Sequence, residues 1–435
     1  NGFRVKDGIV QSYPKNGDLV IPNNVHTLTS VFAYDDFIKS VKISSSVTRI
    51  GESAFYDCDG LNDVTIPGSV RTIEKYAFDC CGGLERVVLE EGVVELKEHV
   101  FEACPLTEIT LPKSLRCVGR WSFVDFEIPA DENGMQIRDG ILFGVPKPVK
   151  GHFVIPDGVR VIGSDVFADC EELTQITIPQ SVVSISDNAF AGCRALKTAA
   201  LPENLEYIGS WAFAGCSSLE SVEIPKGVQY IGEHAFGTYT STLYSPLKFY
   251  ACEKLKQIVL PAQLGSVPAW LFSGCCALEA VSLPDTATEI EDGAFSDCSA
   301  LKELRLPAQL KRIGDHAFGT CRSLVQLDIP DTVTEIGNGA FKDCAALREL
   351  RLPAQLNRIG DSAFQGCRSL TQLDIPDAVT EVGSQAFEDC AAAVPVGDFV
   401  LLDGVLLRYC GSGGDVTVPG GVFLNRKIVY LKPDI

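Results

Sequence analysis

A chain of 435 residues would ordinarily divide into two or three globular domains, and at 46% apolar residues it can build an extensive core. Its 37 Lys and Arg stand against 57 Asp and Glu, a formal charge of −20 that argues against nucleic acid or anionic lipid as a partner. No apolar run approaches the roughly 18 residues of a membrane-spanning helix, so no membrane insertion is expected within this chain. Because it starts at Asn1 with no Met and no signal-like segment, the sequence is expected to be a mature or trimmed chain.

Residues 1–31 carry VKDGIVQSYPKNGDLVIPNNV: the pair Asp7-Gly8, an apolar strand, a Pro/Gly turn, then a second strand. Alternating apolar residues around a turn predict a β-hairpin, here a cap over the first coil. The pattern returns at 127–166 around Asp139-Gly140 and at 393–435 around Asp403-Gly404. These are expected to be a central hairpin unit and a C-terminal hairpin cap.

Between the hairpins lie two blocks, 32–126 and 167–392, ruled by a recurring phenylalanine. It falls at Phe32, Phe55, Phe78, Phe101 and Phe123, then at Phe167, Phe190, Phe213 and Phe236, and resumes from Phe272 to Phe387. The spacing is 23 residues except for one step of 22 before Phe123 and two gaps. The unit is plainest near the end, where 301–346 and 347–392 agree at 35 of 46 positions. Each 46-mer is two copies of LxxLxLPxxLxxIGxxAFxxCxx. Self-similarity at such a period predicts a repeat solenoid: a superhelix of 23-residue coils with a stacked parallel β-sheet, interrupted by β-hairpin units. Within one coil Leu301, Leu304 and Leu306 are expected to form a strand that Pro307 ends. Gly314 then turns the chain, and Ala317-Phe318 enter the core.

The second gap, Phe236 to Phe272, is 13 residues longer than one repeat and predicts an inserted loop at about 237–250. Phe249 with Cys252 is expected to re-enter the register. Its tyrosines Tyr239, Tyr244 and Tyr250 are candidates for a binding loop, against the plainer reading of a tolerated surface excursion.

Twelve of the 17 cysteines lie three residues after a repeat phenylalanine, one per coil. A reduced, buried thiol ladder is expected rather than staggered disulfides. There is no CxxC, so zinc or thioredoxin-like chemistry has no support. Cys80, Cys117, Cys276 and Cys410 lie off the column and are the expected reactive thiols.

The last exposed position of LxxLxL makes a column on the strand face. It runs Thr65, Val88, Thr110, Thr177 and Ala200, and much later Arg305, Asp328, Arg351 and Asp374. A second column runs Glu289, Arg312, Glu335, Arg358, Glu381. Alternating signs predict cross-strand ion pairs, so the late coils read as a structural charge ladder rather than an anion-binding stripe. The less charged early positions, with the 237–250 loop, are the candidate binding face.

No catalytic constellation appears. His99, His234 and His316 share one repeat position in separate coils, and HExxH, P-loop, GxGxxG and GxSxG motifs are all absent. Ser412 in CGSGGD has the composition of a hairpin tip, and the Asp57–Asp63 region lacks the spacing of a calcium loop. The expectation is no enzyme, no cofactor and no metal.

The repeats, seen in LKELRLPAQLKRIGDHAFGTC and LESVEIPKGVQYIGEHAF, resemble the BspA-like (treponemal-type) leucine-rich repeat surface protein family over almost the whole chain. The resemblance implies a leucine-rich-repeat superhelix and a non-enzymatic protein-binding or adhesion module of a bacterial cell-surface or secreted protein. Its protein ligand would lie on a host or neighbouring cell. An intracellular or effector-type scaffold is the alternative. A glycan-binding module is weaker, with only Trp121, Trp211 and Trp270 present. A monomer is expected. Where leucine-rich repeats with an Asn ladder place that residue, this chain has Gln309, Thr332, Gln355 or Ala378, so the later Cys is expected to be the ladder residue.

Overall fold

A computed structural model describes residues 2–15, 17–241 and 248–391 together with the strands Val394–Val396, Phe399–Leu402 and Val405–Tyr409. Each coil contributes a long strand, such as Asp63–Ile66, and a two-residue strand, such as Thr72–Ile73. Both stack in parallel on the next coil. Alternation sets which residues enter: Val64 and Ile66 are buried while Asp63 and Thr65 face out.

The first block's long strands run from Asp18–Val20 to Glu108–Thr110 and its short strands from Ile9–Ser12 to Cys117–Val118. The second block starts again with Ile141–Gly144 and Lys150–Val154. Its short-strand ladder breaks after Tyr230–Ile231 and resumes from Ser266–Val267 to Glu381–Val382. The long ladder is patchier. Leu301, Leu304 and Leu306 are buried as predicted, yet 301–306 form no strand. There the ladder thins to bonds such as Val325 N–H to the Lys302 carbonyl.

The hairpins differ from the expected geometry in where they turn. Lys6 pairs with Ile9 and Arg138 with Ile141, so Asp7-Gly8 and Asp139-Gly140 are themselves the two-residue turns. All four residues have positive φ, the type I′ requirement that Asp-Gly meets. The strands on either side of the Pro/Gly stretch belong instead to the two ladders of one coil. Arg4–Lys6 and Gln136–Arg138 lie antiparallel on the first short strand of each block and cover its edge. Phe399–Leu402 and Val405–Tyr409 also pair antiparallel, while Asp403-Gly404, and most of the C-terminal cap, lie outside the described residues.

The phenylalanines form the spine. Phe318 is fully buried and stacked on Phe295 and Phe341, at 5.3 Å between centroids on each side. Beside them the column thiols from Cys58 to Cys104, from Cys193 to Cys216 and from Cys275 to Cys367 donate to the carbonyl of the preceding coil's phenylalanine, as Cys321 Sγ does to Phe295 O at 3.1 Å. All described cysteines are free. A small buried donor satisfies a carbonyl that the sharp turn leaves off the sheet ladder.

Two further ladders accompany the thiols. Asp315 Oδ1 accepts the Asn338 backbone N–H at 2.7 Å, and Asp292 and Asp361 repeat the contact in their own coils. The position of Gln309, Thr332, Gln355 and Ala378, where the later Cys is the expected ladder residue instead, also makes cross-coil bonds: Thr332 Oγ1 donates to the carbonyls of Ala308 and Leu310, and Thr286 does the same one repeat pair earlier. Cysteine is thus one ladder residue of three.

Two apolar cores result. One runs from Val10 to Ile128 and is closed by Ile141 and Val161; the other is continuous from Leu142 to Cys390.

Candidate binding surfaces

The strand face places its candidates in two separate sheets. Val20, Lys42, Thr65, Val88 and Thr110 stand in register in the first block. Val154, Thr177, Ala200 and Glu223 do so in the second. Thr65, Thr110, Thr177 and Ala200 are exposed and Val88 is half-buried. Sequence reasoning missed Val20 and Val154, both exposed, because they sit in the hairpin segments and carry no repeat phenylalanine before them.

The late charges behave differently in their two columns. Asp328 lies opposite Arg351, but the Arg351 ion pair is with Asp331 at 3.3 Å, and both partners are largely solvated. Arg305 and Asp374 lie outside any strand. In the second column Glu289, Arg312, Glu335, Arg358 and Glu381 are in register. Arg312 reaches Glu289, and Glu335 at 3.7 Å; Arg358 reaches Glu335 at 2.9 Å and Glu381 at 3.2 Å. This short-strand column carries the continuous ion-pair chain.

The inserted segment is a hairpin, Tyr239–Ser241 against Lys248–Tyr250. Tyr239 and Tyr250 are not free recognition groups. Tyr239 is 9% exposed and packs on Ala191, Ala214 and Trp211, with its hydroxyl donating to Asp169. Burial, with Asp169 adding to it, pushes its phenol above the ordinary range. Tyr250 accepts a hydrogen bond from Arg194 at 2.7 Å, and the guanidinium also lies 4.6 Å from the ring centroid. Tyr244 lies outside the described residues.

The coils beneath accommodate the hairpin with Ala-Gly after their phenylalanines, Ala191-Gly192 and Ala214-Gly215. A Cβ on Gly215 would stand 2.9 Å from Tyr239 Cβ. The exposed aromatic residue is Phe249, at 71%, so it does not re-enter the register as expected. Phe236 stacks directly on Phe272, and Cys252 completes the Phe236 coil by donating to Phe213 O. The hairpin therefore fastens to the turn side of the coils, whereas Thr177 and Ala200 lie on the long strands.

The off-column thiols divide. Cys276 is exposed and Cys80 half-buried, but Cys117 is fully buried, with its thiol raised mainly by burial. An expected reactive group is thus sealed between the blocks. Cys410 lies outside the described residues.

The shared histidine position is left-handed, with φ of 58° at His99, 55° at His234 and 55° at His316. Side chains there stack coil on coil. His99 lies between Tyr76 and Trp121, and His234 between Trp211 and Trp270, 5.0 and 5.8 Å away. Gly293 has no side chain because a Cβ would meet the Trp270 ring at 2.1 Å. Among the described residues no three His, Cys, Asp or Glu side chains gather as a metal-binding group.

The family model described as the BspA type leucine rich repeat region matches residues 12–128, 150–246, 245–348 and 267–394. Among solved structures the chain is similar to a leucine-rich repeat protein from Bacteroides ovatus ATCC 8483, at 26% identity over 88% of this chain and 87% of that one, with a TM-score of 0.46. It is similar also to a leucine rich cell surface protein from Faecalibacterium prausnitzii A2-165, at 24% identity over 78% of this chain and 89% of that one, TM-score 0.34. A third is the T. pallidum leucine rich repeat protein, at 25% identity over 61% of this chain and 86% of that one, TM-score 0.30. No curated protein matches. With the repeat model accounting for most of its length, the chain belongs to the BspA-type leucine-rich repeat family.

Proposed function

We propose that this chain is a non-enzymatic protein-binding module of a bacterial cell-surface or secreted protein, and that it holds its partner on the long-strand face. The observation that carries the reading is the second block's run of Val154, Thr177 and Ala200, in register, with Gln175, Thr198 and Ser221 beside it. Short, mostly uncharged side chains on a stiff sheet let a partner's backbone and larger side chains approach, and they lose little entropy on contact. The late coils suit this role less, because their exposed positions carry Arg351 and Asp374. The partner is a protein on a host or neighbouring cell, and the module acts as a monomer. In the 237–250 hairpin the exposed Phe249, rather than Tyr239 or Tyr250, is the described residue available to add contacts.

The test is capture of surface and matrix proteins by the intact chain, with each captured protein then measured against purified variants. Thr177→Arg with Ala200→Arg should weaken a genuine partner at least 10-fold with the melting curve unchanged. Arg351→Glu should leave the affinity within 2-fold. Equal affinity for all three proteins sinks the assignment to this face.

A further inference from the structure

The two blocks meet through side chains. Among the described residues no backbone-to-backbone hydrogen bond joins 1–126 to 136–391, and the sheets on either side are separate. The exposed edge left by Cys117–Val118 is capped instead. Arg160 donates to the carbonyls of Pro112, Lys113 and Leu115, Ser164 to Val118 O, Ser184 to Arg116 O, and Arg138 to Ile109 O. Arg116 pairs with Glu206 at 3.1 Å and Arg120 with Asp165 at 2.7 Å.

The outward column of the short strands shows the same adaptation. It is Arg49, Thr72, Glu95, Cys117 in the first block, and charged again from Glu289 on. Where the blocks touch it becomes Val161, Ser184, Tyr207, Tyr230. Between these surfaces lies a polar cluster. Lys97 pairs with Glu95 at 2.6 Å, Tyr207 approaches Glu95 at 3.5 Å, and Cys117 Sγ lies 3.9 Å from Asp187 Oδ2. Ser186 Oγ is buried there without a partner.

We propose that this junction is a hinge between two rigid solenoid blocks, tightened in acid and loosened toward neutral and alkaline pH by the charge on Asp187. Its geometry permits opening without breaking a sheet, since among the described residues it is crossed by side-chain caps, ion pairs and the apolar contacts of Ile141, Phe143 and Val161 and by no backbone ladder. The groups that face Asp187 are Glu95, Lys97 and Glu98 from the first block's last coils, and Cys117 from its edge strand. From its own block they are Tyr207, Tyr230 and the Ser210 backbone N–H.

Lys97 is the one cation among them, and it is already paired with Glu95. Burial pushes the Asp187 carboxyl up to about 6, opposed by the Ser210 bond and Lys97. The closed junction therefore favours the protonated acid. The contribution of Asp187 is fully present below about 3.8, the ordinary carboxyl value, and is lost as pH rises from there through about 6.

Hydrogen exchange of the full chain tests this, reading amides in 113–120 and 181–188 against coil 312–335 as internal control. Comparing wild type with Asp187→Asn at the same pH removes the intrinsic pH dependence of exchange. Near pH 4 the two should agree within a few-fold, since the carboxyl is largely protonated whether the junction is open or closed; most of the difference should be present by pH 6, and at pH 8 wild type should have lost about 100-fold of junction protection relative to the variant, a factor of ten per unit of pKa displacement. Lys97→Met should move the wild-type transition to higher pH, which keeps the test open if Asp187→Asn folds poorly. Equal protection in wild type and Asp187→Asn at pH 8, or a loss spread evenly into the control coil, overturns the hinge.

Discussion

At the scale of single residues, this solenoid repeats small polar solutions to one problem: carbonyls and amides at tight turns that no sheet ladder reaches. Cys, Asp and Thr each answer it at a fixed position in the coil. The thiol column was legible because it recurs at a fixed offset from phenylalanine. The Asp and Thr ladders were not, since Ser, Asn and Gln share their positions and the type alone does not reveal a bond. His234 shows what a repeat position does to a titratable group. Burial between Trp211 and Trp270 lowers its pKa from 6.5 to about 4, so the fold holds it neutral. Its contribution is complete above pH 6.5 and is lost as pH falls from there toward 4, because the unfolded chain takes a proton that the fold refuses. We expect wild type to lose on the order of 2 kcal/mol between pH 7 and pH 4.5 that His234→Gln does not lose, read from urea unfolding at both pH values. Gln is a fair replacement, since Gln385 already holds φ of 54° at the equivalent position. Parallel acid profiles for the two proteins contradict the assignment.

At the scale of elements, the charge alternation in the duplicated coils separates into a working column and a solvated one. Arg358 sits between Glu335 and Glu381 at one register level, so Arg358→Glu gathers three carboxylates there. A loss of about 1 kcal/mol is expected, shrinking in high salt because these side chains are partly solvated. Arg351→Glu should stay within about 0.5 kcal/mol, since Arg351 is 75% exposed and its one pair is as wet. Thermal unfolding of both variants at low and high salt decides it, and a larger cost at Arg351 would reverse the ranking. The hairpin at 239–250 teaches the complementary lesson. Its tyrosines look like recognition residues by composition, but the platform that buries Tyr239 consists of Ala191, Gly192, Ala214 and Gly215, whose smallness means something only once a ring lies on them.

At the scale of the molecule, the two cores predict where damage spreads. Phe318 is central in the longer one, stacked on both sides. Phe318→Ala should cost about 3–5 kcal/mol and open chiefly the neighbouring coils, because each coil is stabilised by those on either side. Hydrogen exchange should then show lost protection around 295–341 with residues 55–101 unchanged. Loss across both blocks would mean that the cores fold as one.

The sequence by itself determined the coil. Period, core face and thiol ladder all rest on contacts between adjacent repeats, which a single repeating pattern specifies again and again. It also set the absence of a recognisable catalytic motif and the family resemblance that the repeat match bears out. Only the tertiary structure decided how the irregular parts meet. Cys117 lies beside Asp187, 70 residues on, and Glu95 beside Tyr207, 112 residues on. Each such contact occurs once. No periodicity announces it, and its physical reason is the packing of one block's edge against another block's sheet, where Ser184 and Tyr207 reach across to Arg116 and Glu95.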